Sequence, residues 1–423
     1  MRIGFVIWSL FHVKGGLERL GANLAHAMRE RGHECIVFHQ GAGVGCPLYP
    51  LPDDVKTVDL ALDRHHAGSL RQARRRLLEQ MPDALCAMFS WDDLLWFPAL
   101  CNNTGIPLLI SEHSVPGVIE RERWNRYERL ACMAGADSIH LLNRAFLASL
   151  PDFLKERATV IPNPAEPPAA VDWKREDAPR KRLLAAGRLE DGCKQFSLLI
   201  QAFALLAPAF PDWDLRVCGD GGDRGNYASL LAALGLAQRV SLPGRIDDMD
   251  AEYASAHLFC VPSRYEGFGL AAVEAQRFAL PAVGFAQCAG VNEIVVHGEN
   301  GILAPEMNAQ NLAASLRVLM KDAALRRRMG ERGQELLARY APEKIYGQWE
   351  DLLVKTASAK NRTKLRCRPP SERERVELAL REVLCRARPF AGPASEGYLR
   401  DIDRQAALPE QAAALFQREK LNV

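Results

Sequence analysis

The chain has 423 residues, with 54 Lys+Arg against 52 Asp+Glu and a formal net charge of +2. That length exceeds one ordinary core and predicts two or three domains, while a charge so near zero excludes the basic footprint of a nucleic-acid-binding protein at whole-chain level. Apolar residues make up 48% and charged residues 25%, the balance of a soluble globular protein, and no apolar stretch reaches the roughly 20 residues that span a bilayer.

In chain order, residues 2–8 read as a strand; this apolar start is short and runs into Lys14-Gly15-Gly16 with no small-residue cleavage pattern, so it is not taken as a signal peptide. Residues 17–31 read as an amphipathic helix ended by Gly32, and 34–39 as the next strand. Apolar runs at 84–89, 106–111, 138–142 and 159–161 alternate with helical stretches, which predicts a parallel sheet covered on both faces. The basic run Arg71-Gln72-Ala73-Arg74-Arg75-Arg76 reads as a solvated helix face, with anionic lipid headgroups as the alternative partner. Pro162-Asn163-Pro164-Ala165-Glu166-Pro167-Pro168 has no helical or strand period and reads as a stiff linker.

The pattern then restarts. Strands are expected at 183–186, 214–218, 258–261 and 281–285, and helices at 195–206 and after Gly269, with 342–355 a further helix carrying Trp349. The domains expected are therefore 1–164, 165–341, a helix at 342–357 packing back toward the first domain, and a basic extension at 358–423 with no assigned role. From Lys355 to the end there are 15 basic against 9 acidic residues. Eleven cysteines form no C-x-x-C pair, and Cys86, Cys218 and Cys260 lie in apolar runs; buried free thiols in a reducing compartment are expected.

The segment Glu266-Gly267-Phe268-Gly269-Leu270-Ala271-Ala272-Val273-Glu274 carries the strongest chemical signal. A strand ends, glycines form a loop, and a helix begins near Gly269, so free N–H groups at the helix start suit a diphosphate. Glu274, five residues beyond Gly269, lies about 7.5 Å along the helix axis, within reach of the ribose diol of the same nucleotide; an ionised carboxylate accepts both hydroxyl protons. Alone, such a turn is equally an ordinary loop with surface glutamates. Gly187-Arg188-Leu189 ends the first strand of the second half and Lys194 follows, which places a guanidinium fork and an ammonium where open α/β sheets bind ligands. After a first-half strand comes Ser111-Glu112-His113-Ser114, in which His113 or Glu112 is the candidate polar contact. The triplets Asp212-Trp213-Asp214, Asp248-Met249-Asp250 and Asp401-Ile402-Asp403 have a form some enzymes use for divalent ions, but Asp248 reads as a helix cap and no metal site is assigned.

Taken together these residues resemble the family-four retaining glycosyltransferases, over roughly residues 1–355. Lys14-Gly15-Gly16, Ile161-Pro162-Asn163-Pro164, Gly187-Arg188 with Lys194, the Glu266-to-Glu274 segment, and Glu293 followed by Gly298 and Gly301 carry the resemblance. It implies an α/β fold of the GT-B type, two Rossmann-like domains facing a central cleft with a C-terminal helical extension. It implies further that Arg188 and Lys194 hold the donor diphosphate, Glu274 the ribose and Glu266 the sugar ring. The amides of Gly269 and Leu270 would touch the phosphates, with Gly187, Gly267 and Phe268 also lining the donor site. Gly15 and Gly16 would approach from the other domain, and His113 would face the donor sugar. The partners implied are a nucleotide-sugar donor, UDP-linked by family frequency, and a glycan or lipid-linked glycan acceptor in cell-surface polysaccharide synthesis. No cofactor or nucleic acid is expected; the location expected is the cytoplasm, with peripheral contact at the inner face of an anionic membrane. A catalytically silent GT-B scaffold, a sugar phosphorylase and an epimerase are the alternatives.

Overall fold

The computed structural model describes residues 1–7, 10–11, 15–41, 47–62, 69–88, 96–101, 104–122 and 126–359. Expectations for Lys14, for the triplet at Asp401 and for the basic extension beyond 359 lie outside these residues. The chain forms two compact units, Met1–Ile161 joined by the chain from Tyr346 onward, and Pro162–Ile345.

The first unit holds a seven-stranded sheet in the order β3-β2-β1-β4-β5-β6-β7. Its strands are β1 (Arg2–Ile7), β2 (Glu34–His39), β3 (Lys56–Asp59), β4 (Ala84–Met88), β5 (Leu108–Glu112), β6 (Ser138–Leu141) and β7 (Ala158–Val160). Every pairing is parallel, with Phe5 opposite both Val37 and Cys86. β4 and β5 are buried throughout, because helices cover both faces of a parallel sheet and apolar runs without alternation fit only there. The helix Gly16–Glu30 turns Leu20, Leu24, Ala27 and Met28 inward, the spacing of one helical face.

The second unit repeats the plan. Its strands are β8 (Lys181–Ala186), β9 (Trp213–Cys218), β10 (Val240–Gly244), β11 (Leu258–Val261), β12 (Ala282–Phe285) and β13 (Gly301–Ala304). They run in the order β10-β9-β8-β11-β12-β13, again all parallel. Leu183, Leu215, Leu258 and Val283 pack against Phe203, Leu312 and Leu316 of the covering helices, each such burial worth about 1.5–3 kcal/mol. The chain thus contains two Rossmann-like parallel sheets with their helices.

The helix Pro342–Ala357 begins in the second unit, and from Tyr346 it belongs to the first. Trp349 is 1% exposed and lies on the His140 ring, centroid to centroid 4.3 Å. Glu350 pairs with Arg31 at 3.2 Å and with His33 at 2.9 Å.

Three strands escape the sequence reading: β3, β10 and β13, each at the edge of its sheet. The basic helix is also corrected. Within Ser69–Gln80, Arg74 is 8% exposed and donates to the Ala99 and Leu100 carbonyls at 3.2 and 2.9 Å, and Arg76 donates to the Asp59 carbonyl. Only Arg71 and Arg75 are left on the solvated face, because buried carbonyls at helix and strand ends need donors that the guanidinium fork supplies. Asp248 caps the helix Met249–Ser255 through the Ala251 N–H. Asp214 is held by Arg180 and Arg239, which keep its carboxyl below the usual range against the opposing effect of burial. Among the described residues, no helix is long and apolar enough to cross a membrane.

Candidate active site

In an open parallel sheet, ligands bind beyond the C-terminal strand ends where the strand order reverses. In the second unit this point lies between β8 and β11, and the loops leaving these strands carry Lys194 and Glu266. Their side chains meet: Lys194 Nζ lies 2.5 Å from Glu266 Oε1, with exposures of 17% and 16%.

Each half of this pair is built by local anchoring. Lys194 ends the one-turn helix Asp191–Lys194. The Asp191 carboxylate accepts from the Ser197 amide at 2.9 Å, the Ser197 hydroxyl at 2.6 Å and the Tyr227 hydroxyl at 3.0 Å. Gln195, at φ 50°, breaks the helix, and the Lys194 stem folds over Gly187, where a Cβ would stand 3.3 Å from Lys194 Cε. On the other side the Ser263 hydroxyl, 1% exposed as a residue, donates to Glu266 Oε1 at 2.7 Å. The Arg264 N–H donates to the Cys193 carbonyl at 2.8 Å, tying the two loops together. Gly290 presses on the Glu266 backbone so closely that a Cβ there would lie 2.2 Å from the Glu266 carbonyl oxygen.

Arg188 departs from the expected shared cationic grip. Its neighbours are clamped, the Gly187 N–H to the Cys218 carbonyl at 3.0 Å and the Leu189 N–H to the Asp220 carbonyl at 2.9 Å. The side chain between them turns outward, 72% exposed, and pairs with Glu190 at 3.2 Å. It stays within electrostatic range: the Cys193 thiol, pushed up mainly by burial, is lowered by both Lys194 and Arg188. The three strand ends β8, β9 and β10 close with Gly187, Gly219 and Gly244, and Gly219 N–H donates to the Gly244 carbonyl at 2.8 Å. At Gly219, φ 138°, a Cβ would lie 1.8 Å from the Gly187 carbonyl oxygen. These strand ends carry no side chains of their own, but the Lys194 stem lies over Gly187 and Arg224 Nη1 comes near Gly244.

The helix Leu270–Arg277 starts from Gly269 at φ 80°, and no side chain caps it. Its first amides therefore offer donors and the positive end of the helix. Gly269 and Glu266 are bracketed by the same residue, since a Cβ on Gly269 would meet the Gly290 carbonyl oxygen at 3.4 Å. Leu270 opens the helix, and Glu274 accepts from the buried Tyr253 hydroxyl at 3.1 Å. Gly267 is half-buried in the loop. Phe268 is corrected: its ring is 2% exposed and stands edge-on to Tyr340 at 5.4 Å. The side chain anchors the loop to the core, and only its backbone is left for a ligand.

In the first unit Gly15 is the extended N-cap of the helix Gly16–Glu30, again with no side-chain cap. Glu112 and His113 separate cleanly. Glu112 is 1% exposed and bonds both oxygens to Arg129 at 2.7 and 2.6 Å; burial works against both charges, yet Glu112 and Glu120 hold the Arg129 pKa above its ordinary value. His113 is half-buried and holds Ser111 Oγ with Nε2 at 2.7 Å. Burial, then His140, hold its pKa well below the ordinary value.

Residues 14–167 match the family described as Glycosyltransferase Family 4, and residues 172–336 match Glycosyl transferases group 1. The chain is a family-four glycosyltransferase of the GT-B fold. Among its relatives is an uncharacterized glycosyltransferase of Haemophilus influenzae, 26% identical over 83% of this chain and 99% of that protein. A second, from Campylobacter jejuni, is named as a GalNAc-alpha-(1->4)-GalNAc-alpha-(1->3)-diNAcBac-PP-undecaprenol alpha-1,4-N-acetyl-D-galactosaminyltransferase; it is 23% identical over 85% of this chain and all (100%) of that one. Anabaena Alr3699/HepE, solved in complex with UDP and glucose, superposes with a TM-score of 0.69 at 20% identity, over 84% of this chain and 99% of that one. Sucrose-phosphate synthase from Thermosynechococcus elongatus superposes at 0.68, also at 20% identity, over 85% and 99%.

Several residues of the glycosyltransferase that hold these groups went unassigned in the sequence: Ser263 behind Glu266, Tyr253 behind Glu274, and the strand-end glycines Gly219 and Gly244. The string Gly219-Asp220-Gly221-Gly222 was a visible signal. Ser263 and Tyr253 had none, because their partners lie across the loop or on another helix.

Proposed function

We propose that this glycosyltransferase moves a sugar, with retention of anomeric configuration, from a UDP-linked donor to a glycan or lipid-linked glycan acceptor in cell-surface polysaccharide synthesis. The observation that carries the reading is the Lys194–Glu266 pair at the strand-order reversal, next to a helix start that no side chain caps. When the bond between the sugar and the nucleotide breaks, its electron pair goes to the diphosphate. Lys194 and the open amides of Gly269 and Leu270 oppose that charge without reorganising, and Arg188 joins them by turning in from Glu190. Gly187 and Gly267 give the phosphates room, and Glu274, oriented by Tyr253, takes the ribose hydroxyls. Glu266 keeps one oxygen on Ser263 and Lys194, which suits a carboxylate that accepts a sugar hydroxyl and does not attack carbon. Gly15, Gly16 and His113 are further candidate contacts for the donor.

The acceptor class follows the Campylobacter relative, whose name specifies an undecaprenol-linked glycan, and the donor class follows the UDP in the Anabaena complex. Unpaired thiols such as Cys86, Cys218 and Cys260 fit a reducing, cytoplasmic location. No metal is needed in this scheme, since the two acidic triplets among the described residues, at Asp212 and Asp248, are engaged in ion pairing and capping. Transfer is expected to persist in EDTA.

A panel of UDP- and GDP-sugars with lipid-linked acceptors, read by mass spectrometry, tests the donor and acceptor; NMR of the product tests the anomer. Turnover with GDP-sugars alone would refute the donor assignment, and an inverted product would refute retention.

A further inference from the structure

A chain of three hydrogen bonds in the first unit determines where His113 carries its proton. The Ile161 carbonyl can only accept, and it lies 2.8 Å from His140 Nε2, so His140 is protonated there. His140 is 0% exposed, and burial lowers its pKa to about 4. At neutral pH its Nδ1 is therefore a lone pair. Ser111 Oγ stands 2.8 Å from that nitrogen, and its hydroxyl must donate to it. The Ser111 oxygen then has only lone pairs for its other neighbour, His113 Nε2 at 2.7 Å, which must donate in turn. His113 Nδ1 is left as an acceptor with no hydrogen-bond partner among the described residues. Trp349, tilted against His140 with ring centroids 4.3 Å apart, braces the ring that sets this order.

We infer that Ser111 and His140 are positioning residues that lock His113 as a neutral hydrogen-bond acceptor, so that the site selects a donor sugar bearing a hydroxyl at the position His113 contacts and rejects a carboxylate there. The selectivity rests on the proposal that His113 faces the donor sugar; the lock does not. A hydroxyl can donate to the bare Nδ1, whereas an ionised carboxylate has only lone pairs to present. Neutral hexose donors are thus favoured over hexuronates by means of a proton located two side chains away.

The lock is read directly by nitrogen-15 NMR of the full chain labelled at histidine. His113 and His140 are assigned among the ten histidines from the spectra of His113→Asn and His140→Phe. Native protein at pH 7 is expected to show both rings neutral and protonated at Nε2. In His140→Phe the aromatic contact for Trp349 is kept but the acceptor for Ser111 is gone. The hydroxyl is then free to turn to His113 Nε2, and the His113 signals shift toward the Nδ1–H form. Ser111→Ala, which removes a single oxygen, also releases the tautomer and serves if His140→Phe folds poorly. A native His113 protonated at Nδ1, a cationic His113, or a tautomer unmoved in both variants would overturn the lock.

Isothermal titration with UDP-glucose and UDP-glucuronate reads the selectivity. The ratio of their Kd values is expected to fall about five- to tenfold in His140→Phe, the worth of one neutral hydrogen bond. An unchanged ratio alongside the expected spectra would overturn the selectivity between hexose and hexuronate donors. If neither nucleotide sugar gives heat with native protein, the selectivity between these donors fails, and the spectra still decide the lock.

Discussion

Replacing Gly290 with alanine tests whether catalysis depends on where Glu266 is held. The added Cβ would stand 2.2 Å from the Glu266 carbonyl oxygen, 2.7 Å from its carbonyl carbon and 3.0 Å from its Cβ. Ordinary contact begins near 3.4 Å, so the Glu266 backbone must retreat by roughly 1.2 Å, and backbone on both sides leaves no flexible side chain to yield. Such overpacking costs about 1–3 kcal/mol of stability, which a domain of this size tolerates. The larger effect is on rate. A displacement of about 1 Å at a reacting centre costs on the order of a hundredfold, and Glu266 would leave Lys194 and Ser263 together. Gly290→Ala is therefore expected to lower kcat/KM about a hundredfold while circular dichroism stays native. Gly347→Ala, in a helix where an added Cβ meets nothing within 4 Å, is the matched control and should gain about 0.5–1 kcal/mol with unchanged turnover. If Gly290→Ala keeps turnover within about threefold of native, a precisely held Glu266 is not part of the chemistry.

Lys194→Ala is expected to lower kcat by at least about a hundredfold, the effect of one transition-state donor, with the fold retained; steady-state kinetics that show only a higher KM would place Lys194 in uniform binding instead. Arg129→Met leaves Glu112 buried without its partner and should cost about 3–5 kcal/mol in urea unfolding, whereas a loss below 1 kcal/mol would contradict the buried pair. His140 gives a pH effect of definite sign. Its pKa is about 4 in the fold and about 6.5 unfolded, so between these values the unfolded chain binds the proton and stability falls as pH falls. The contribution approaches about 3 kcal/mol, and urea midpoints at pH 7.5 and 4.5 should diverge more for native protein than for His140→Phe; equal divergence would show that folding does not lower the His140 pKa.

The central strands were readable because burial on both faces allows only apolar residues, as in Ala84-Leu85-Cys86-Ala87-Met88 and Leu258-Phe259-Cys260-Val261. The edge strands β3, β10 and β13 were not. Lys56-Thr57-Val58-Asp59 is exposed or half-buried throughout, so its composition is that of a loop and only pairing with β2 makes it a strand. At the site, the residues that announce themselves lie in contiguous strings, such as Glu266 through Glu274. The residues that orient them do not. Ser263 is an unremarkable serine until Glu266 folds over it, and Tyr253 faces Glu274 from a helix 21 positions away. Arg74 was misjudged for the same reason: its charge shows in sequence, but the two carbonyls it satisfies come from residues 25 and 26 positions on.

The two units hold their polar groups by different physical means, and this predicts how each fails. In the second unit position is set by contact. Gly219 against Gly187 and Gly290 against Glu266 leave no room for a methyl group, so a substitution there acts through displacement and its cost scales with distance moved. In the first unit position is set by the order of donors and acceptors from Ile161 through His140 and Ser111 to His113. A change there can leave every atom in place and still reverse which ring nitrogen bears hydrogen. Geometry alone would rank His140→Phe as a mild substitution, since the aromatic surface under Trp349 survives. The hydrogen-bond order ranks it as severe, because the direction of the whole chain depends on the one carbonyl that can only accept.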